Sequence, residues 1–261
     1  MNGILWTVLL VGGIGLLAGL LLSVAAIVLA VQKDETAEKL QALLPGANCG
    51  ACGFSGCAGY AAALAGGKTD QTGLCAPGGA KTAAQLAEAL GISAQAFVKK
   101  TAVVCCQGNR DKTAFKQDYR GLQSCAAANQ LFGGPQACRF GCIGLGDCLA
   151  VCEYGAISIE NGLADIDRNA CTGCGKCVRQ CPKGLITLTA EPRKLTVKCV
   201  NHDKGAKTRS VCTTGCIGCM KCVKACEHGA IKVKQFLATI DDSLCTACGK
   251  CAEVCPNGCI L

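Results

Sequence analysis

Nine cysteines recur along this chain at one fixed offset. Cys125, Cys138, Cys142, Cys148, Cys152, Cys171, Cys174, Cys177 and Cys181 return as Cys199, Cys212, Cys216, Cys222, Cys226, Cys245, Cys248, Cys251 and Cys255, each 74 residues on (125 to 199, 181 to 255). Nine equal offsets do not arise by chance; a unit was duplicated and its cysteine positions were kept. The chain holds 26 cysteines in 261 residues, a density that in a short secreted protein points to a disulfide scaffold. The spacing argues otherwise. Cysteines two residues apart in one turn cannot all find disulfide partners of acceptable geometry, but they can all face one metal centre. Free thiolates in such number belong to a reducing compartment.

Within each unit lies the run C-x2-C-x2-C-x3-C-P, twice, the pattern of two-cluster ferredoxins, in which the fourth cysteine of each run ligates the other cluster. Three of the four runs are complete: 171–181, 216–226 and 245–255. Pro182 and Pro256 follow two of them, whereas Glu153 and Glu227 stand where the other two prolines belong. In the remaining run Leu145 takes the place of Cys219, so the middle ligand is missing. Cys138 is the expected substitute, which leaves Cys212 either spare or a ligand to something else. The segment from Ala156 to Ile166 alternates like a hairpin, with Asn161-Gly162 at its turn, and 230–240 is its counterpart. Each unit thus reads as a small βαββαβ-like module around two [4Fe–4S] clusters.

Upstream, Cys49, Cys52 and Cys57 lie in a glycine-rich loop and Cys75 follows. Gly50, Gly53 and Gly56 let such a loop bend round a bulky cofactor. Residues 34–44, 57–65 and 80–90 read as helices, the last ending at Gly91. Four thiolates suit zinc as well, and spacing alone does not exclude it; the ferredoxin runs favour [4Fe–4S] here too. Before this segment, Ile4 to Val31 carries no charge, and as a helix it extends over about 42 Å, enough to cross the bilayer. A cleaved signal peptide is the alternative, but no Lys or Arg precedes the run and it is longer than a typical signal core.

The expected fold class is α+β: one transmembrane helix (1–32), a small helical four-Cys domain (33–98), a linker (99–124) and two tandem bacterial-ferredoxin-like modules (125–198 and 199–261). At least five [4Fe–4S] clusters are expected. Their ligand sets are Cys49, Cys52, Cys57 and Cys75; Cys138, Cys142, Cys148 and Cys181; Cys152, Cys171, Cys174 and Cys177; Cys216, Cys219, Cys222 and Cys255; and Cys226, Cys245, Cys248 and Cys251. Six cysteines remain: Cys105, Cys106, Cys125, Cys199, Cys212 and Cys259. We read them as buried unligated thiols, the alternative being one or two extra clusters with Cys105 or Cys106 contributing.

The order of parts resembles the B subunit of the Rnf complex in its long form with two ferredoxin-like modules. The residues that carry the resemblance span nearly the whole chain. They are the apolar N-terminus, Asn48 to Cys57, Leu74 to Gly79, Cys125-Ala-Ala-Ala-Asn129, Phe132-Gly-Gly-Pro135, Gly141 to Cys148 and the cysteine runs. The resemblance implies an iron–sulfur subunit of an ion-translocating ferredoxin:NAD oxidoreductase that drives Na⁺ or H⁺ across the membrane. It further implies soluble ferredoxin and integral membrane and flavin- or NAD-binding subunits as partners, and a single-pass place in the inner (plasma) membrane. The soluble part is expected on the cytoplasmic side, and no nucleic acid partner is expected. The chain itself carries no G-x-G-x-x-G after a strand and no acid within its apolar helix, so NAD binding and ion transport fall to other subunits. No catalytic residue is expected, because electron transfer breaks no substrate bond. Lys176, Lys183, Lys221, Lys224 and Lys250 flank the runs; they favour reduced clusters and an acidic ferredoxin, or are plain solvated lysines. The rivals are a relay subunit of a heterodisulfide-reductase or formate-dehydrogenase type of enzyme, and a non-redox binding protein that uses zinc or structural clusters.

Overall fold

The structure, a computed structural model, describes residues 2–28, 34–192 and 194–261. Residues 29–32 of the expected anchor, and the adjoining Lys33, lie outside the described residues. Helix α1 (Asn2–Val28) is one uninterrupted span. Its segment Gly3–Ala26 has a mean hydropathy of 2.5 and buries none of its residues against the rest of the chain. A helix apolar all round and left uncovered is suited to lipid.

Helix α2 (Glu35–Leu43) starts at Asp34, whose carboxylate accepts the N–H groups of Thr36 and Ala37 at 2.9 and 3.4 Å. Glu35 and Glu38 in the first turn complement the helix dipole. Helices α3 (Cys57–Ala65) and α4 (Gly79–Leu90) follow, and Gly91 ends α4 in the left-handed conformation that spares a residue without Cβ. The expected helices at 34–44, 57–65 and 80–90 are all present. The alanines of α3 bring α2 close, and Leu40, Leu44, Tyr60, Leu64 and Leu86 close a small core.

The first ferredoxin-like module comprises β1 (Lys100–Val104), α5 (Cys125–Gln130), α6 (Asp147–Ala150), β2 (Ile157–Glu160), β3 (Leu163–Ile166), α7 (Lys176–Gln180) and β4 (Ile186–Ala190). The second has α8 (Gly205–Val211), α9 (Lys221–Ala225), β5 (Ile231–Lys234), β6 (Leu237–Ile240) and α10 (Lys250–Glu253). Hairpins β2–β3 and β5–β6 are antiparallel and coincide under the 74-residue offset. Their turns are Asn161-Gly162 and Gln235-Phe236, all four residues at positive φ, as the two-residue hairpin turn demands.

Outside the first hairpin lies a second strand pair, and outside the second hairpin a single bridge takes its place. β1 runs antiparallel to β4 with Val104 opposite Ile186; β1 therefore comes from the segment read in sequence as a linker. In the second module Val197 bridges Ile260, and Thr196 and Leu261 exchange backbone hydrogen bonds of 2.6 and 3.1 Å. Ile186 and Ile260 are 74 residues apart, but Val104 and Val197 are 93 apart (197 − 104). The first module thus carries 19 extra residues (93 − 74) between its outer strand and its first run. The structural repeat and the cysteine repeat part company there. Cys125 opens a helix, whereas Cys199 lies in coil two residues after the bridging Val197.

Candidate metal centres

The third cysteine of each run, Cys148, Cys177, Cys222 and Cys251, is the second residue of a short helix. The residue before each helix, Gly146, Gly175, Met220 or Gly249, is left-handed. That conformation turns the chain sharply, so the thiols of one run converge. Hairpin tips complete the wrapping. A Cβ on Gly144 would stand 2.1 Å from the Gly162 carbonyl oxygen, and one on Gly218 would stand 2.8 Å from that of Phe236. Both positions need glycine for close approach as well as for φ of +75° and +65°.

Three of the expected thiol sets line cavities of similar size. Cys152, Cys171, Cys174 and Cys177 surround about 350 Å³ of empty space. Cys216, Cys219, Cys222 and Cys255 line about 340 Å³. Cys142, Cys148 and Cys181 line about 360 Å³, and the crossed pattern is visible there, since Cys181 belongs to the other run. Cys226, Cys245 and Cys248 gather round Cys251, whose thiol is pushed up by burial and then by those three neighbours. Cys75 is pushed up in the same way, by burial and then by Cys57, Cys49 and Cys52.

One expected ligand is not where the run pattern put it. The structure does not bring Cys138 to Cys142, Cys148 and Cys181; the fourth thiol of that cavity is Cys125. The cause is Asp147. Its carboxylate accepts from the Cys125 and Ala126 N–H groups at 2.8 and 2.9 Å and from the Ser124 hydroxyl at 3.0 Å. This clamps the start of α5 beside Cys148, the residue next to Asp147. Cys138 instead faces the second module, where the Asn201 side-chain amide donates to its sulfur at 3.6 Å. Nothing in the run spacing distinguishes these two outcomes; an Asp inside the run that lacks a cysteine was the only local signal.

Of the remaining cysteines, Cys259 lines the second-module cavity with its Sγ 3.5 Å from that of Cys255, and its hydrogen bond holds the Cys216 thiol below the usual thiol range. Its counterpart 74 residues earlier is Leu185, a fully buried core residue. Cys105 turns to the Thr187 hydroxyl, 3.6 Å away.

These surroundings fit iron–sulfur clusters. Among the described residues, no three or more Cys, His, Asp or Glu side chains converge tightly enough for a single metal ion. They stand back around spaces that suit a polynuclear group. Backbone N–H groups already point at sulfur: Ala102 to Cys171, Leu185 to Cys181, Cys259 to Cys255 and Ala247 to Cys245, each at 3.4 Å. Burial pushes the Cys142, Cys148, Cys177 and Cys222 thiols up to about 11. Thiols packed this way ionise at neutral pH only with cationic charge among them, which iron supplies. In the four-Cys domain, burial pushes Tyr60 up to about 12, and its hydroxyl donates to the Gln71 carbonyl at 2.5 Å.

The flanking lysines divide. Lys176 pairs with Glu153, and its repeat counterpart Lys250 pairs with Glu227 at 2.5 Å. The two glutamates that replace prolines thus neutralise two of the lysines. Lys183 reaches the carbonyls of Gly133 and Arg139 at 2.7 and 2.5 Å and is lowered by burial and then by Lys116. Lys221 and Lys224 stay exposed.

Comparison with known proteins agrees with this layout. The FeS family model, for an Fe–S cluster, matches residues 44–77. One 4Fe–4S dicluster domain model matches 137–185 and 215–259, and another matches 170–231. The chain is 44% identical to the B subunit of the Na⁺-translocating ferredoxin:NAD⁺ oxidoreductase complex of Acetobacterium woodii, over 94% of this chain and 74% of that protein. It is 42% identical to the B subunit of the proton-translocating ferredoxin:NAD⁺ oxidoreductase complex of Clostridium ljungdahlii, over 94% and 87%. With the B subunit of the ion-translocating oxidoreductase complex of Methanosarcina acetivorans it shares 38% over 92% and 91%. Likeness of this depth across anchor, four-Cys domain and both modules places the chain in the family of Rnf complex B subunits.

Proposed function

We propose that this chain takes electrons from a soluble ferredoxin, or returns them to it, and relays them to membrane-embedded and flavin- or NAD-binding partners of an ion-translocating complex. When bound, [4Fe–4S] clusters supply one-electron oxidation and reduction. The chain's own task is to hold them, space them and set their potentials by burial, charge and N–H···S bonds. We assign five centres. Cys49, Cys52, Cys57 and Cys75 hold the one beside the membrane. Cys152, Cys171, Cys174 and Cys177, and then Cys125, Cys142, Cys148 and Cys181, hold the pair in the first module. Cys216, Cys219, Cys222 and Cys255, and then Cys226, Cys245, Cys248 and Cys251, hold the pair in the second. The soluble part faces the cytoplasm, the compartment that keeps thiols reduced.

The observation that carries this reading is the continuity of the thiol sets. The Arg179 guanidinium donates to the Cys49 carbonyl at 2.7 Å, tying the four-Cys domain to the first module. Tyr154 stands between the two, raised by burial and also by Cys174 and Cys49. A line of thiol sets therefore runs from the first module into the four-Cys domain. The test is spectroscopic. Anaerobically purified protein is expected to be brown, with a band at ~400 nm that bleaches on adding reduced ferredoxin. A colourless protein, or a coloured one that reduced ferredoxin leaves unbleached, defeats the proposal.

A further inference from the structure

Between the two modules lies a cavity of about 330 Å³ that none of the five centres uses. Cys106, Cys138, Cys199 and Cys212 line it, and so does Cys105. Its volume matches the three cavities lined by ferredoxin-run thiols, 340 to 360 Å³. We infer that Cys106 and Cys138 of the first module and Cys199 and Cys212 of the second hold a sixth [4Fe–4S] cluster, which bridges the modules. The inference rests on the five-centre reading above and adds to it.

The four thiols form two equivalent pairs, an equivalence that the sequence conceals. Cys138 and Cys212 correspond under the 74-residue offset. Cys106 and Cys199 correspond under the 93-residue offset of the outer strands, each two residues beyond the bridging valine, Val104 or Val197. Their hydrogen bonds correspond as well. Gly108 N–H donates to Cys106 and Asn201 N–H to Cys199, both at 3.4 Å. Cys142 N–H bonds Cys106, and its counterpart Cys216 N–H donates to Cys199 at 3.3 Å. Backbone beside the site matches too: Cys105 N–H to Leu185 carbonyl, and Lys198 N–H to Cys259 carbonyl, both 2.7 Å. Two modules thus present the same pair of sulfurs to one space.

All four sulfurs are built as acceptors. Besides those amide donors, the Asn201 side chain reaches Cys138 at 3.6 Å and the Thr113 hydroxyl reaches Cys212 at 3.7 Å. A neutral buried thiol needs no such array, whereas a thiolate does. The 19 inserted residues also have a use here. Thr113 bridges Cys212, Ala114 N–H bonds the Val211 carbonyl at 3.0 Å, and Ala137 N–H bonds that of Ala114 at 2.7 Å. The insertion stitches Cys138 and Cys212 into one wall. Cys105 is excluded because its thiol is turned to Thr187.

The site also lies where the relay needs one. The amides that bond Cys106 and Cys199 belong to Cys142 and Cys216, a ligand of the nearer centre in each module. Electron tunnelling falls steeply with distance, so a centre here turns two separate pairs into one line.

Iron, acid-labile sulfide and zinc, measured on the anaerobically purified full-length chain, test this without any variant. About 24 Fe per chain is expected. A brown, ferredoxin-bleachable protein with about 20 Fe overturns the sixth centre while leaving the five-centre reading intact, and so does about 20 Fe with about one zinc. A colourless protein fails both. Changing Cys138 and Cys212 together to Ala is expected to remove about four irons, and Cys105→Ala none. Full iron in the double variant, or loss from Cys105→Ala, contradicts the ligand set.

Discussion

Gly144 and Gly218 show how single residues carry this fold. Each sits in the first half of a cysteine run, at positive φ, with the tip of a hairpin pressed against its Cα. Gly144→Ala would cost about 1–2 kcal/mol for the left-handed backbone alone, and the 2.1 Å approach to the Gly162 carbonyl forces the hairpin outward as well. The expected outcome is a lower melting temperature and selective loss of the iron held by Cys142 and Cys148, read by anaerobic thermal melting and iron assay. Gly218→Ala, at 2.8 Å, is expected to lose less. Crossed ligation gives a second residue-level prediction. Cys181→Ala is expected to empty the site of Cys125, Cys142 and Cys148, which shares its cavity, and to leave that of Cys171, Cys174 and Cys177 filled. Retained iron in the first site, seen by EPR of the reduced protein, would reverse the assignment. Run spacing made the place of Cys181 beside Cys142 and Cys148 legible in advance, because thiol spacing is a local property. It could not reveal that Cys125 replaces Cys138. That exchange depends on a carboxylate, Asp147, gripping a helix start 22 residues away, and long-range hydrogen bonds leave no period in a sequence.

At the scale of elements, the hairpins were readable where their turns obeyed the usual chemistry. Asn161-Gly162 is the favoured pair for a turn with two positive φ angles. The second hairpin makes the same turn with Gln235 at φ +47° and Phe236 at +63°. Its existence followed from alternation and from the repeat; its strained turn did not, because Gln and Phe are poor signals for that geometry. Gln235→Asn restores the residue type of the first module. It is expected to stabilise the protein by about 0.5–1 kcal/mol, since Asn tolerates the left-handed region far better. A rise of a few degrees in the melting temperature checks it; an unchanged or lower value argues that the turn is held by its packing on Gly218. Strand β1 was the element sequence reasoning missed. Lys100-Thr-Ala-Val-Val104 is short and its partner β4 lies some 86 residues on (186 − 100), a pairing that only the closed module specifies. Missing it also hid the 93-residue offset, and with that offset the equivalence of Cys106 and Cys199.

For the whole molecule, the proposed docking of a soluble partner turns on charge. The net charge of +8 is not spread evenly in effect. Glu153 and Glu227 cancel Lys176 and Lys250, and Lys183 is spent on two carbonyls. That leaves Lys221 and Lys224, exposed on the short helix α9 that also carries Cys222, as charges free to face an incoming protein. Helix α6, the first-module counterpart of α9, has Asp147 where α9 has Lys221, and Asp147 is already engaged with α5. The two modules therefore differ in surface charge at equivalent positions, and under the proposed function the second is the better entry for an acidic ferredoxin. Exposed charges act chiefly on encounter, over a Debye length of about 8 Å at physiological salt. Replacing Lys221 and Lys224 together by Glu is expected to slow reduction by ferredoxin about tenfold at low salt and to flatten its salt dependence. Iron content and the rate of reduction by dithionite, a small donor with no docking face, are expected to stay unchanged. A stopped-flow series across ionic strength measures all of this at once. Equal ferredoxin rates in the variant and the parent chain would move the entry point away from α9.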